Sequence, residues 1–198
     1  MTLRVLGSVC ALLWMCPEVL ASDVSLKQHR PGSGSDHSVL DLRVGVQAIV
    51  HEEGQAHPYV CGEVSPMKRV SIEACGNGSG ILHRAEGPDM AHFRLRGSLA
   101  TFLRGSSSAS LVVGAGFMEV QRTSDRPGFD FGSSAAGAVE AAGPEASVGI
   151  RARRWISDRS CFTADAVVGS AYVEGAPLVM GWTSPVVPFA SLTVGVGF

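Results

Sequence analysis

The sequence predicts an all-β chain: an eight-stranded antiparallel up-and-down transmembrane β-barrel, preceded by a cleaved signal peptide. Three observations lead there. Eight segments alternate apolar residues with polar or small ones at period two, the repeat of a strand with two unlike faces. Several segments run nine residues or more. A tilted strand needs about 9–11 residues to cross a bilayer, against about 5–6 in an ordinary globular strand. Long and short connections also alternate between the segments, as they do in a barrel with turns at one end and loops at the other.

Composition narrows the field further. The chain has 198 residues, of which 45% are hydrophobic and 17% charged, with a net charge of −2. There is no basic field for nucleic acid, and the chain is too apolar to be disordered. Glycine is abundant at 24 residues, but it follows no three-residue repeat of the collagen kind.

Residues 1–21 read as the signal peptide. Arg4 gives the positive start, Val5 to Met15 the short apolar core, and Val19-Leu20-Ala21 the small-residue cleavage site. The apolar run is too short to span about 30 Å of hydrocarbon as a helix. Leu13-Trp14-Met15 before Cys16 is too bulky for a lipidation site. Residues 22–39 are polar, centred on Pro31-Gly32-Ser33-Gly34-Ser35, and read as a flexible linker. The barrel domain then occupies 40–198.

Its strands are expected at about 41–50, 58–65, 69–77, 91–104, 109–121, 146–157, 160–173 and 186–198. In the first, Leu42, Val44, Val46 and Ala48 alternate with Arg43, Gly45, Gln47 and Ile49. In the fourth, Phe93, Leu95, Leu99 and Leu103 form the apolar set, and His92, Arg94, Arg96 and Phe102 the opposite one. Short turns fall at 66–68, 105–108 and 158–159, and long loops at 51–57, 78–90, 122–145 and 174–185. A ten-stranded count is open through the 122–145 loop. In lipid no water satisfies a sheet edge, so the sheet must close. Eight strands leave an interior that side chains can fill.

Parity assigns Arg43, Glu63, Glu73, Arg94, Arg96, Arg151, Arg153 and Asp165 to the inner face, with His92 beside them. Charges confined there must pair or keep water. A hairpin centred on Asp158 sets Arg151 opposite Asp165. One centred on Lys68 sets Cys61 opposite Cys75, a candidate disulfide in an exported protein. Cys161 is left as a small buried thiol. Gly45, Gly149, Gly169, Gly195 and Gly197 also fall inside, where space is short.

The last strand, Val187 to Phe198, ends on a terminal Phe after apolar residues at every second position. With the signal peptide and the eight segments, residues 40–198 resemble the small eight-stranded bacterial outer-membrane barrels of the OmpA/OmpX type. The resemblance implies that the chain resides in the outer membrane and contacts its lipid. It also implies that the barrel-assembly machinery reads Leu192, Val194, Val196 and Phe198. The aromatic girdle must come from Tyr59, Phe93, Phe117, Trp155, Phe162, Tyr172, Phe189 and Phe198, not all of which face outward by parity.

No catalytic motif emerges. A lipid A deacylase type needs a His and a Ser two apart on one strand, but Arg94 follows His92 at that spacing. Gly76-Asn77-Gly78-Ser79-Gly80 lacks the lysine and helix of a P-loop. His83, Glu86 and Asp89, like His51, Glu52, Glu53 and His57, read as solvated loop residues, and no cofactor is expected. Arg154 faces lipid by parity and is tolerable only near the interface. Phe129 and Phe131, in the 122–145 loop, are candidate contacts for an extracellular partner. The expected role is structural or interactive, with a largely plugged interior. A narrow channel and a soluble lipocalin-like carrier are the alternatives, and the carrier would require an apolar inner face.

Overall fold

Eight strands close into one antiparallel sheet in chain order, with β8 returning to pair with β1. The computed structural model describes residues 38–49, 56–77, 88–122 and 139–198. The signal peptide, the linker up to His37, the loop histidines His51 and His83, and Phe129 and Phe131 lie outside the described residues. The strands are β1 (Leu40–Ile49), β2 (Ala56–Met67), β3 (Val70–Gly76), β4 (Pro88–Arg104), β5 (Ser107–Arg122), β6 (Glu140–Trp155), β7 (Cys161–Tyr172) and β8 (Val186–Gly197). A short helix, α1 (Ala176–Met180), stands between β7 and β8.

Alternation accounts for most of this. Ile150 is 63% exposed, and its neighbour Arg151 is 4% exposed. Leu42, Val44, Ile72, Leu95, Val168 and Val194 are likewise exposed on the outer face. The register shows how strongly the strands incline. From Leu103 it passes through Ser108, Arg153, Thr163, Gly195, Arg43, Cys61 and Cys75, and re-enters β4 at His92. A tilt of this kind is what closing eight strands demands. Gly195 allows the close inner-face approach of β8 to β1. A Cβ there would fall 2.6 Å from the Cα of Arg43.

The turns follow local chemistry. Arg104 pairs with Ser107, so the β4–β5 hairpin has a two-residue loop, and Gly105 takes the positive φ of 57° that such turns favour. Gly181, at φ 72°, stops α1 and donates its N–H to the carbonyl of Pro177 at 3.1 Å.

Four expectations need correction. A bulge interrupts β4: Ser98 pairs with Val112 and Ala100 with Leu111, leaving Leu99 extra. Parity therefore reverses beyond it. Phe102 lies opposite Ala109 on the outer face, 73% exposed, and Leu103 lies opposite Ser108 on the inner one. Second, β6 begins at Glu140 rather than 146, because small residues fit the ladder without a strong apolar signal. Third, Tyr59 and Phe189 are buried inside, at 2% and 3% exposure, and do not belong to a girdle. Trp155 pairs with buried Cys161 and shares its inner parity. Fourth, the 174–185 connection contains α1.

Candidate functional site

The interior is the most constrained part of the molecule, and its charges form connected tiers. At the short-turn end, Arg153 donates to Asp41 Oδ2 at 2.7 Å, Ser38 donates to the same oxygen at 2.7 Å, and Thr163 donates to Oδ1 at 3.0 Å.

The middle tier joins three arginines to three carboxylates. Arg151 grips Glu63 with two parallel bonds of 2.6 and 2.5 Å, the fork geometry that makes arginine–carboxylate pairs strong. It also reaches Asp165 at 2.7 Å. Arg96 donates to Glu73 at 2.6 Å and to Asp165 at 2.7 Å. Arg43 binds Glu63 at 2.6 Å and also contacts Glu73 and Asp165. Oxygens of Glu63, Glu73 and Asp165 lie within 4.8 Å of one another. Three guanidiniums already surround that acidic centre, so positive charge is supplied by the chain itself.

The upper tier is built on His92. The Gln47 amide nitrogen lies 2.6 Å from His92 Nε2 and donates to it. That leaves Nδ1–H to donate to Glu145 Oε2, also at 2.6 Å. Arg94 pairs with Glu145 at 2.8 Å, donates to the Tyr59 hydroxyl at 2.7 Å, and lies over the Phe189 ring at 5.3 Å. The disulfide between Cys61 and Cys75, with Cα atoms 4.1 Å apart, packs beside Tyr59. Cys161 is a free, buried thiol.

Above the charges the interior turns apolar. Met90, Met118, Val120, Val187 and Phe189 form one buried cluster with Ala176 and Val179 of α1. The helix packs against β5 and β6. Met180 and Trp182 lie against the same cluster.

All eight charged residues expected inside are inside, and the ion pairs join them into tiers. The sequence reading missed Asp41, Gln47, Tyr59 and Glu145 as parts of this network. Asp41 and Gln47 share the parity of Arg43, which was the available signal. Glu145 falls in the expected 122–145 loop. Five arginines thus face five carboxylates: Arg43, Arg94, Arg96, Arg151 and Arg153 against Asp41, Glu63, Glu73, Glu145 and Asp165. Leu192, Val194, Val196 and Phe198 all project outward and are exposed.

A closed wall with an apolar outside and a charged inside inverts the plan of a soluble protein. The fold is an eight-stranded transmembrane β-barrel. No protein-family model and no curated protein matches the chain. Among solved structures, the crystal structure of Ail, the attachment invasion locus protein of Yersinia pestis, is similar over 80% of this chain and 95% of that one. The TM-score is 0.40 and the sequence identity 9%.

Proposed function

We propose that this chain is an integral protein of the bacterial outer membrane with a plugged interior. It serves a structural or surface-interaction role through the loops at its long-loop end. The observation that supports this reading is the paired filling of the barrel. Salt-bridged arginines occupy its length, and an apolar cluster with α1 lies above them. An ion entering would have to separate pairs that have already left water, which is costly.

On this reading the signal peptide directs export, and the assembly machinery reads the outward row ending at Phe198. The short turns face the periplasm. Contacts with an extracellular partner fall to the long loops, including the one that carries Phe129 and Phe131. The proposed role is non-enzymatic, in keeping with a sequence that carries no recognisable catalytic motif. The lipocalin-like alternative loses ground because the middle of the barrel is ionic, whereas a carrier of apolar ligands lines that space with apolar groups.

The test is reconstitution of the purified protein into planar bilayers, with gel migration recorded before and after boiling. The expected result is heat-modifiable migration and no sustained conductance. A stable open state would overturn the plugged interior. A soluble, heat-insensitive protein would overturn the membrane assignment.

A further inference from the structure

The outer face at the short-turn end carries two rows of unlike chemistry. In the lower row, Arg104 pairs with Ser107, Ser107 with Arg154, and Arg154 with Phe162. Residues in direct register share a face, so both arginines flank Ser107 on the outside of the wall. Their backbones stand two ladder spacings apart, about 10 Å. Side chains of that length can converge on one anion between them. Arg104, Ser107 and Arg154 are all exposed.

The row above is apolar and shallow. Phe102 pairs with Ala109, Ala109 with Ala152, and Ala152 with Ala164. Three alanines therefore floor a strip of wall, with Phe102 at one side and Phe162 below its far end, both strongly exposed. The bulge at Leu99 creates this arrangement, because it turns Phe102 and Arg104 outward. A basic pair directly beneath an apolar strip matches a phospholipid, with its phosphate at the interface and an acyl chain along the wall. The strip also continues the lipid-facing belt through Val194 and Val196.

We propose that Arg104, Ser107 and Arg154 form a binding site for the headgroup phosphate of an anionic phospholipid. The acyl chain lies over Ala109 and Ala152 beside Phe102. This inference rests on the outer-membrane reading, which turns the short-turn end toward the phospholipid leaflet. Net negative lipids are favoured because a zwitterionic headgroup brings an ammonium close to two guanidiniums. Each arginine near a membrane surface changes the partition of an anionic lipid about fivefold.

The test uses the full barrel in phosphatidylcholine vesicles with traces of spin-labelled phosphatidylglycerol or phosphatidylcholine. Electron paramagnetic resonance reads the fraction of label immobilised at the protein. The wild type prefers phosphatidylglycerol, Arg154→Gln lowers the preference about fivefold, and the R104Q/R154Q pair removes it. Arg154→Lys keeps it, as does K68Q/R69Q on the β2–β3 turn, where the basic residues lie outside the site. Heat-modifiable migration shows that each variant is folded. Equal preference in the wild type overturns the site, as does equal loss in K68Q/R69Q or displacement of the label by inorganic phosphate. A wild type that fails to insert into vesicles overturns the membrane reading instead. A barrel that inserts without preference overturns only the site.

Discussion

Arg151 and Asp165 face each other across the β6–β7 ladder and share two hydrogen bonds, of 2.7 and 3.2 Å, inside the barrel. Arg151 also holds Glu63 by its fork. Arg151→Ala therefore leaves two buried carboxylates short of their partner. The expected loss is about 3–5 kcal/mol of unfolding free energy, measured by urea titration in lipid vesicles. R151A/D165A should cost less than the sum of the single changes. Additive costs would show that the two side chains do not interact.

The Cys61–Cys75 bond closes a segment with a sequence separation of 14. Chain-entropy arguments give about 3 kcal/mol for a loop of that size. C61S/C75S should lower stability by that order, and reduction of the wild type should do the same. Reduced and oxidised samples, both denatured, should also migrate differently on a gel. Identical mobility would count against the bond.

Gly195 sits where β8 approaches the backbone of Leu42 and Arg43. Gly195→Ala is expected to cost about 1–3 kcal/mol through overpacking. Gly62 provides the comparison, since a Cβ there meets only Leu42 Cδ2, at 3.9 Å. Gly62→Ala should change stability by no more than about 0.5 kcal/mol. Equal effects at the two positions would refute the crowding argument.

Phe198 separates two roles. Its backbone joins the β1–β8 seam, donating to the Leu40 carbonyl at 2.8 Å and accepting from Val39 N–H at 2.6 Å. Its ring projects outward. Phe198→Ala keeps the backbone bonds, so refolding of the purified chain into detergent should match the wild type. Assembly in cells should fall severalfold if the ring is part of the signal read by the assembly machinery. Refolding and assembly falling together would place the effect in the fold instead.

Much of this architecture was legible because a strand repeats every two residues. Burial of Arg43, Arg94, Arg96, Arg151 and Asp165 followed from parity alone, and hairpin arithmetic paired Arg151 with Asp165 and Cys61 with Cys75. What escaped was whatever broke or weakened that period. The extra residue at Leu99 has no side-chain signature, so unbroken alternation puts Phe102 and Leu103 on the wrong faces. Glu140 to Glu145 alternates too weakly to announce a strand, and with that stretch Glu145 was lost to the His92 tier. α1 has five residues, too few for a helical period. Tyr59 and Phe189 follow the same parity, Tyr59 in phase with Glu63 and Phe189 out of phase with Leu192, so their aromatic character is a poorer guide to the girdle than their place in the alternation.

The ionic interior also sets unequal terms for change across the wall. Outside, Ile72, Leu95, Ile150 and Val168 need only remain apolar, so substitutions there can accumulate one at a time. Inside, no arginine of the middle tier serves a single partner, and no carboxylate there answers to a single arginine. A lone replacement leaves several neighbours unbalanced, and a viable variant requires changes in concert. The wall thus tolerates single replacements on its lipid side and resists them on the other.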